Sequence, residues 1–223
     1  MKVSLKPFAS GVVAVLLCAC GAIASGADTA APPPPPPPAA GAPAGDAPPA
    51  APLPPVPEPA AQRYAQAIAL IKSGKATDAE LELKQLIVTY PELPGPQINL
   101  GLLLSHASRL PEAQTAFKAA LAIKPNSAVA NAELGIVERR MGKFADAEQD
   151  YQRAISADPG YAQARLNLGI LYDLYLFEPQ KALDQFEQYV TLAGENKQVA
   201  GWIAELKKRL GVAAPPPAKK DPA

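Results

Sequence analysis

The sequence predicts an all-α protein made of stacked helical repeats, because one set of residue types recurs at a fixed spacing of 34 residues. A Leu-Gly pair is followed at constant distances by an Ala, a large apolar residue and a Pro. The recurring positions are Leu100-Gly101, Leu134-Gly135 and Leu168-Gly169; Ala79, Ala113 and Ala147; Leu83, Phe117 and Tyr151; and Pro91, Pro125 and Pro159. The residues between them are rich in Ala, Leu, Glu, Gln and Lys, which favour helices. Such a period is typical of proteins that act through a binding surface.

Each recurring residue type has a physical role in a helix pair. The small Gly and Ala side chains allow the two helices of a unit to approach closely, and the larger Leu, Phe and Tyr fill the space between neighbouring units. The recurring prolines mark the ends of second helices, because proline cannot continue a helix. Asp78, Glu112 and Asp146 precede the recurring Ala, where a carboxylate favours the positive end of a second helix.

The whole pattern resembles the tetratricopeptide repeat (TPR), a helix–turn–helix unit with the signature W-x2-L-G-x2-Y…A-x3-F…P. The resemblance implies an all-α TPR solenoid of about four helix–turn–helix units. We place these units at residues 60–93, 94–127, 128–161 and 162–196. The first unit has Gln66-Ala67 in place of Leu-Gly, whereas the fourth has one extra residue before Ala182 and ends with Gly194 instead of proline.

A C-terminal capping helix is predicted at residues 197–211, because repeat arrays need a helix that covers their last apolar face. Its apolar residues at helical spacing are Val199, Ile203, Leu206 and Leu210. The basic run at residues 207–209 is interpreted as solvated surface, since cations favour the last turn of a helix. A disordered tail is predicted at residues 212–223.

Residues 1–20 are predicted to be a lipoprotein-type signal segment with two early lysines and a short apolar run. The sequence Leu17-Cys18-Ala19-Cys20 resembles a bacterial lipobox, which implies lipidation of Cys20. Since Gly21 follows, the resemblance implies the outer membrane, with the repeats on its periplasmic face. A second interpretation stays open, in which cleavage near Ala24 releases a soluble periplasmic or secreted protein.

An Ala/Pro-rich linker is predicted at residues 21–59, and it contains seven consecutive prolines at 32–38. Such a run favours polyproline II and acts as a stiff spacer. The spacer interpretation gives an anchored domain reach away from the membrane. The alternative is that the proline run is itself a ligand for an aromatic groove.

Charge and composition exclude several classes of function. Lys plus Arg equals Asp plus Glu at 21 each, so no general attraction to nucleic acid is expected. His106 is the only histidine, and no cysteine lies near it, so neither a metal site nor a cysteine–histidine pair is expected. No phosphate-binding or hydrolase motif is present, and we expect no cofactor.

The TPR resemblance implies that first helices line a concave groove, with a protein or peptide as partner. Carried over to this register, the groove residues are Tyr64, Ile68 and Lys72; Ile98, Leu102, Ser105 and His106; Ala132, Ile136, Arg139 and Arg140; and Leu166, Ile170, Asp173 and Leu174. An alternative stays open, in which these residues pack against one another or against the last helix. The internal turn of the fourth unit, Tyr175 to Phe177, is either a docking patch or a local core.

These features predict a non-catalytic scaffold or adaptor anchored in the bacterial cell envelope by a lipid. It would bind a peptide or protein partner in the groove and serve in the assembly of a pilus, transport or cell-wall complex. A peptidoglycan-associated structural protein is the alternative. An enzyme is the weaker alternative, because no catalytic constellation is found in the sequence.

Overall fold

The computed structural model describes residues 55–212, and within them it contains nine α-helices and no strand. They are α1 (Glu58–Lys72), α2 (Ala76–Thr89), α3 (Pro94–His106), α4 (Leu110–Ile123), α5 (Ala128–Arg140), α6 (Phe144–Ala157), α7 (Ala162–Leu174), α8 (Pro179–Ala193) and α9 (Lys197–Arg209). The predicted signal segment with Cys20, most of the linker and nearly all of the tail lie outside the described residues. None of the helices in residues 55–212 is both long and apolar enough to cross a bilayer.

The helices are arranged as four helix–turn–helix pairs followed by a ninth helix. Within each pair the two helices contact each other extensively, and each second helix also contacts the first helix of the next pair. The first helices α3, α5 and α7 contact one another in sequence, and α9 packs on α8. The predicted fold class, a solenoid of four units with a capping helix, is therefore confirmed.

Helix ends follow the predicted proline and carboxylate positions. Helices α2, α4 and α6 each end two residues before a recurring proline. Asp78, Glu112 and Asp146 lie in the first turns of these helices, as the sequence predicts. The hydroxyl of Ser127 caps α5 by accepting from the Ala130 backbone N–H at 3.3 Å.

The conserved spacing between Gly and the large ring produces a close contact inside each unit. A Cβ atom on Gly101 would lie 2.7 Å from the ring of Phe117, and one on Gly169 would lie 2.5 Å from the ring of Phe186. The ring therefore occupies the space that the missing side chain leaves, which lets the two helices approach. The sequence interpretation placed these rings between units, and this is incomplete, because each ring rests first on the glycine of its own unit.

The core is continuous along the array and is closed by α9. One cluster reaches from α1 to α5, and a second reaches from α6 through α7 and α8 to α9. Helix α9 buries Val199 and Leu206, and the Trp202 ring lies 5.4 Å from the ring of Phe186. The basic run at 207–209 is not simply solvated, because two of its three cations form ion pairs with the fourth unit. These pairs are Lys207–Glu187 and Arg209–Asp173, both at 2.8 Å.

Candidate functional site

The apolar residues predicted for the groove form a row of partly buried side chains on the first helices. They are Ile68, Ile98, Leu102, Ile136, Leu166 and Ile170. Ile98 and Leu102 pack against the first core cluster, and Ile136, Leu166 and Ile170 pack against the second. Because α3, α5 and α7 are direct neighbours, these side chains are held by the core while part of their surface stays accessible. Such a surface can contact apolar side chains of a peptide or helix.

Two predicted groove residues are buried instead. Ala132 is 1% exposed and packs with Ala154 and Ala164 in a small cluster of the core. Ser105 is 7% exposed and interacts with the next unit. The prediction that these two residues face a partner is wrong, since helical register alone did not distinguish the inner face from the contact between units.

Tyr64 links the first unit to the second. Its hydroxyl accepts a hydrogen bond from the Asn99 side-chain amide, which also donates to the Gly95 carbonyl at 3.2 Å. Burial raises the pKa of Tyr64, and the hydrogen bond from Asn99 opposes that rise. Tyr64 is therefore held in place as a neutral hydrogen-bond acceptor on the first-helix face.

The two predicted arginines of α5 link different pairs of units. Arg140 donates to the Ser105 backbone carbonyl at 2.8 Å and to its hydroxyl at 3.0 Å. Arg139 donates to the Tyr175 hydroxyl at 3.3 Å, and its guanidinium carbon lies 5.5 Å from the centre of the Tyr175 ring. Both arginines are thus engaged within the protein, one toward the second unit and the other toward the fourth.

Asp173 lies at the C-terminal end of the predicted groove and is engaged by the capping helix. Its Oδ1 atom pairs with Arg209 of α9 at 2.8 Å. His106 and Lys72 lie exposed near the ends of α3 and α1, and Leu174 is exposed at the end of α7. The polar predicted residues therefore divide into those that join units and those that stay exposed at helix ends.

The irregular turn of the fourth unit is divided in the same way. Tyr175 packs on Phe144 with ring centres 5.0 Å apart, and Leu176 joins the second core cluster. Phe177 is 78% exposed and has a backbone φ of 56°. The local-core alternative describes Tyr175 and Leu176, whereas Phe177 alone keeps an exposed ring.

Sequence reasoning missed two buried carboxylates between the second and third units. Glu138 of α5 is 1% exposed and Asp150 of α6 is 2% exposed. A signal for them existed in the sequence, because Leu104 and Ala116 stand 34 residues earlier, at apolar positions of the repeat. Within residues 55–212 no group of three metal-ligating side chains is placed to hold a metal ion.

Comparison with protein families gives the decisive observation. Two family models, both described as tetratricopeptide repeat, match residues 64–128 and 126–195. The chain belongs to the tetratricopeptide repeat family. TPR arrays are protein-interaction scaffolds and are typically non-catalytic, so proteins are the expected partners of this TPR chain.

Solved structures share the fold of this TPR protein. Residues 41 to the end of MamA from Desulfovibrio magneticus are 20% identical with a TM-score of 0.62, over 71% of this chain and 89% of that one. PilF of Pseudomonas aeruginosa is 18% identical with a TM-score of 0.63, over 69% of this chain and 70% of that one. A TPR protein from Parabacteroides merdae is 19% identical with a TM-score of 0.60, over 70% of this chain and 61% of that one. No curated protein matches this TPR chain closely enough in sequence to count as a relative.

Proposed function

We propose that this TPR protein is a non-catalytic adaptor of the bacterial cell envelope that binds a segment of a partner protein along its first helices. The observation that carries the proposal is the row of partly exposed apolar side chains on α3, α5 and α7. Leu102 and Ile136 lie near the middle of this row, each supported by the core beneath it. A partner that presents apolar side chains at helical or extended spacing would bury them there.

The hydrogen bonds between units support the same proposal by limiting how the surface can change shape. Arg140 and Arg139 connect α5 to the units on both sides, so the apolar row is carried on joined helices. A preformed surface loses less conformational entropy on binding than a mobile one. The partner therefore meets a surface that is already ordered.

Partner capture from envelope extract tests the proposed surface. The variant Leu102→Glu/Ile136→Glu places two charges in the apolar row and should lose the partner. A matched control is Leu81→Glu/Val88→Glu, because both residues are exposed apolar side chains on the second helix α2. Equal capture by the wild type and the first variant, with unchanged helicity, would contradict the proposed surface.

The envelope location is supported by the sequence of the N-terminal segment, where Cys20 follows a lipobox-like motif. We propose that acylated Cys20 anchors the protein at the periplasmic face of the outer membrane and that residues 21–59 serve as the spacer. Metabolic labelling with a fatty acid should mark the wild type and the Cys18→Ser variant, but not Cys20→Ser. Labelling of none of them, with a mature N-terminus just after Ala24, would favour the soluble periplasmic or secreted form.

Within the envelope, we propose that the adaptor serves in the assembly of a multi-protein complex such as a pilus, transport or cell-wall machine. A scaffold that joins proteins and carries a membrane anchor is suited to this task. Identification of the captured partner by mass spectrometry tests it. Capture of purified peptidoglycan by the wild type, with no protein partner, would favour the structural alternative.

A further inference from the structure

A charged cleft lies between the second and third units, away from the apolar row on the first helices. It has a volume of about 320 Å³ and opens between α4 and α6, with α5 beneath. Its lining residues are Lys118, Leu121, Leu134, Glu138, Asp146, Gln149, Asp150 and Arg153. The cleft therefore holds three carboxylates and two cations, together with two leucines.

Glu138 is the most unusual residue of this cleft, because its carboxylate is buried and only partly paired. Its Oε1 atom accepts from the Gln114 amide at 2.9 Å and lies 3.6 Å from the Lys118 ammonium. Its Oε2 atom is buried and has no hydrogen-bond partner in the described part of the chain. An ionised oxygen in this position has lost its hydration without a replacement donor, which costs free energy.

Asp150 adds a second buried carboxylate next to Glu138. Its Oδ1 atom pairs with Arg153 at 2.5 Å, and the Arg153 side chain itself is largely exposed. Burial raises the pKa of Glu138 to about 7, and the neighbouring Asp150 contributes to this rise. Two carboxylates in one cleft thus lack one positive partner when both are ionised.

An internal comparison shows that the repeat does not need these charges. A cleft of the same volume, about 320 Å³, lies one unit earlier between α2 and α4. It is lined by Lys84, Gln97, Leu100, Leu104, Glu112, Thr115, Ala116 and Ala119. Leu104 and Ala116 take the places of Glu138 and Asp150, each 34 residues earlier. Apolar side chains are sufficient for packing there, so the buried carboxylates have another purpose.

We propose that the charged cleft binds a primary ammonium group, in the form of a lysine side chain of a protein partner. The ammonium would donate to Glu138 Oε2 and to Asp150, supplying the missing donor and the missing positive charge. The lysine methylenes would lie along Leu121 and Leu134. This site lies on the second helices, so it is separate from the apolar row of the proposed function.

Titration of the full chain with a small lysine probe tests the proposal. The probe is Nα-acetyl-lysine N-methylamide, whose only charge is the side-chain ammonium. Its norleucine counterpart is the matched control, because it keeps the methylenes and lacks the charge. We expect backbone amide NMR shifts around Glu138 and Asp150 with the lysine probe only. Equal shifts with both probes, or no shifts with either, would overturn the proposal.

Two variants assign the effect to the cleft. Glu138→Gln should weaken binding of the lysine probe at least about tenfold, because it removes the buried charge. Glu112→Gln changes the carboxylate of the neighbouring cleft and should leave the affinity unchanged. An unchanged affinity in Glu138→Gln would overturn the proposal. For the wild type alone, binding should strengthen between pH 6 and pH 8 as Glu138 ionises, and weakening over that range would also overturn it.

Discussion

Arg140 donates to the backbone carbonyl of Ser105 at 2.8 Å, although the two residues stand 35 positions apart. This distance is one repeat plus one residue, so the bond joins equivalent ends of α5 and α3. Asn99 and Tyr64 make a contact with the same separation, and Arg209 and Asp173 make one with a separation of 36. Polar contacts one repeat apart therefore accompany the apolar core along the whole described array.

The first prediction concerns the close approach of helices within a unit. Gly101→Ala places a Cβ atom 2.7 Å from the Phe117 ring, which is buried and cannot move freely. We expect a loss of about 1–3 kcal/mol in the free energy of unfolding, measured by chemical denaturation. Gly201→Ala in α9 is the control, because its Cβ would meet nothing within 4 Å. It should raise stability by about 0.5–1 kcal/mol, and equal losses in both variants would contradict the packing argument.

The second prediction concerns the dependence of stability on pH. The pKa of Glu138 is raised from the ordinary 4.5 to about 7, so the folded protein holds a proton that the unfolded chain releases. This contribution to stability is complete below about pH 4.5 and is lost as the pH rises through 7. The charged groups that face Glu138 are Lys118 from α4 and Asp146, Asp150 and Arg153 from α6.

Glu138→Gln isolates that contribution, because the amide keeps the shape of the side chain without its titration. Between pH 5 and pH 8 the wild type should lose about 1–3 kcal/mol more than the variant, measured by denaturation at each pH. All other titrating groups are common to both proteins and cancel in the comparison. Parallel pH profiles for the two proteins would contradict the raised pKa of Glu138.

The sequence was sufficient for the fold and for part of the site. The period places Gly101 against Phe117 and the prolines after α2, α4 and α6, because these residues act locally or within one unit. The partners of Arg139 and Asp173 could not be predicted, since they depend on how one unit is rotated on the next. Burial of Glu138 was missed for a related reason, because a charged residue on a helix normally faces solvent.

The third prediction concerns the turns inside the units. Gly74, Ser108, Gly142 and Phe177 all have positive φ values, of 73°, 60°, 77° and 56°. A side chain is strained in this region, whereas glycine is not. Phe177→Gly should therefore raise the free energy of unfolding by about 0.5–1 kcal/mol, since the exposed ring contributes little packing. Gly142→Ala should lower it by a similar amount. A loss of stability in Phe177→Gly would show that the ring packs more than its exposure indicates.

The fourth prediction separates the two parts of the irregular turn. Tyr175→Ala removes a ring that packs on Phe144 and receives a hydrogen bond from Arg139, so it should cost about 2–4 kcal/mol in stability. Phe177→Ala should change stability by less than about 0.5 kcal/mol, because the ring is mostly in solvent. Partner capture from envelope extract gives the second readout. Loss of a partner in Phe177→Ala, at unchanged stability, would assign docking to this ring, and equal destabilisation by both variants would contradict the division of the turn.

The last prediction concerns the capping helix. Leu206 is 1% exposed and belongs to the second core cluster together with Phe186 of α8. Leu206→Ala leaves a cavity under α9 and should reduce the free energy of unfolding by about 2–4 kcal/mol. Because units of a repeat array contact only their neighbours, the loss should appear first in α8 and α9 and least in α1 and α2. Hydrogen exchange measured helix by helix checks this gradient. Ala204→Gly, at an exposed position of the same helix, is the control for helix propensity and should cost only about 1 kcal/mol. A uniform rise in exchange across all nine described helices would mean that the array unfolds as one unit and that α9 does not act as a local cap.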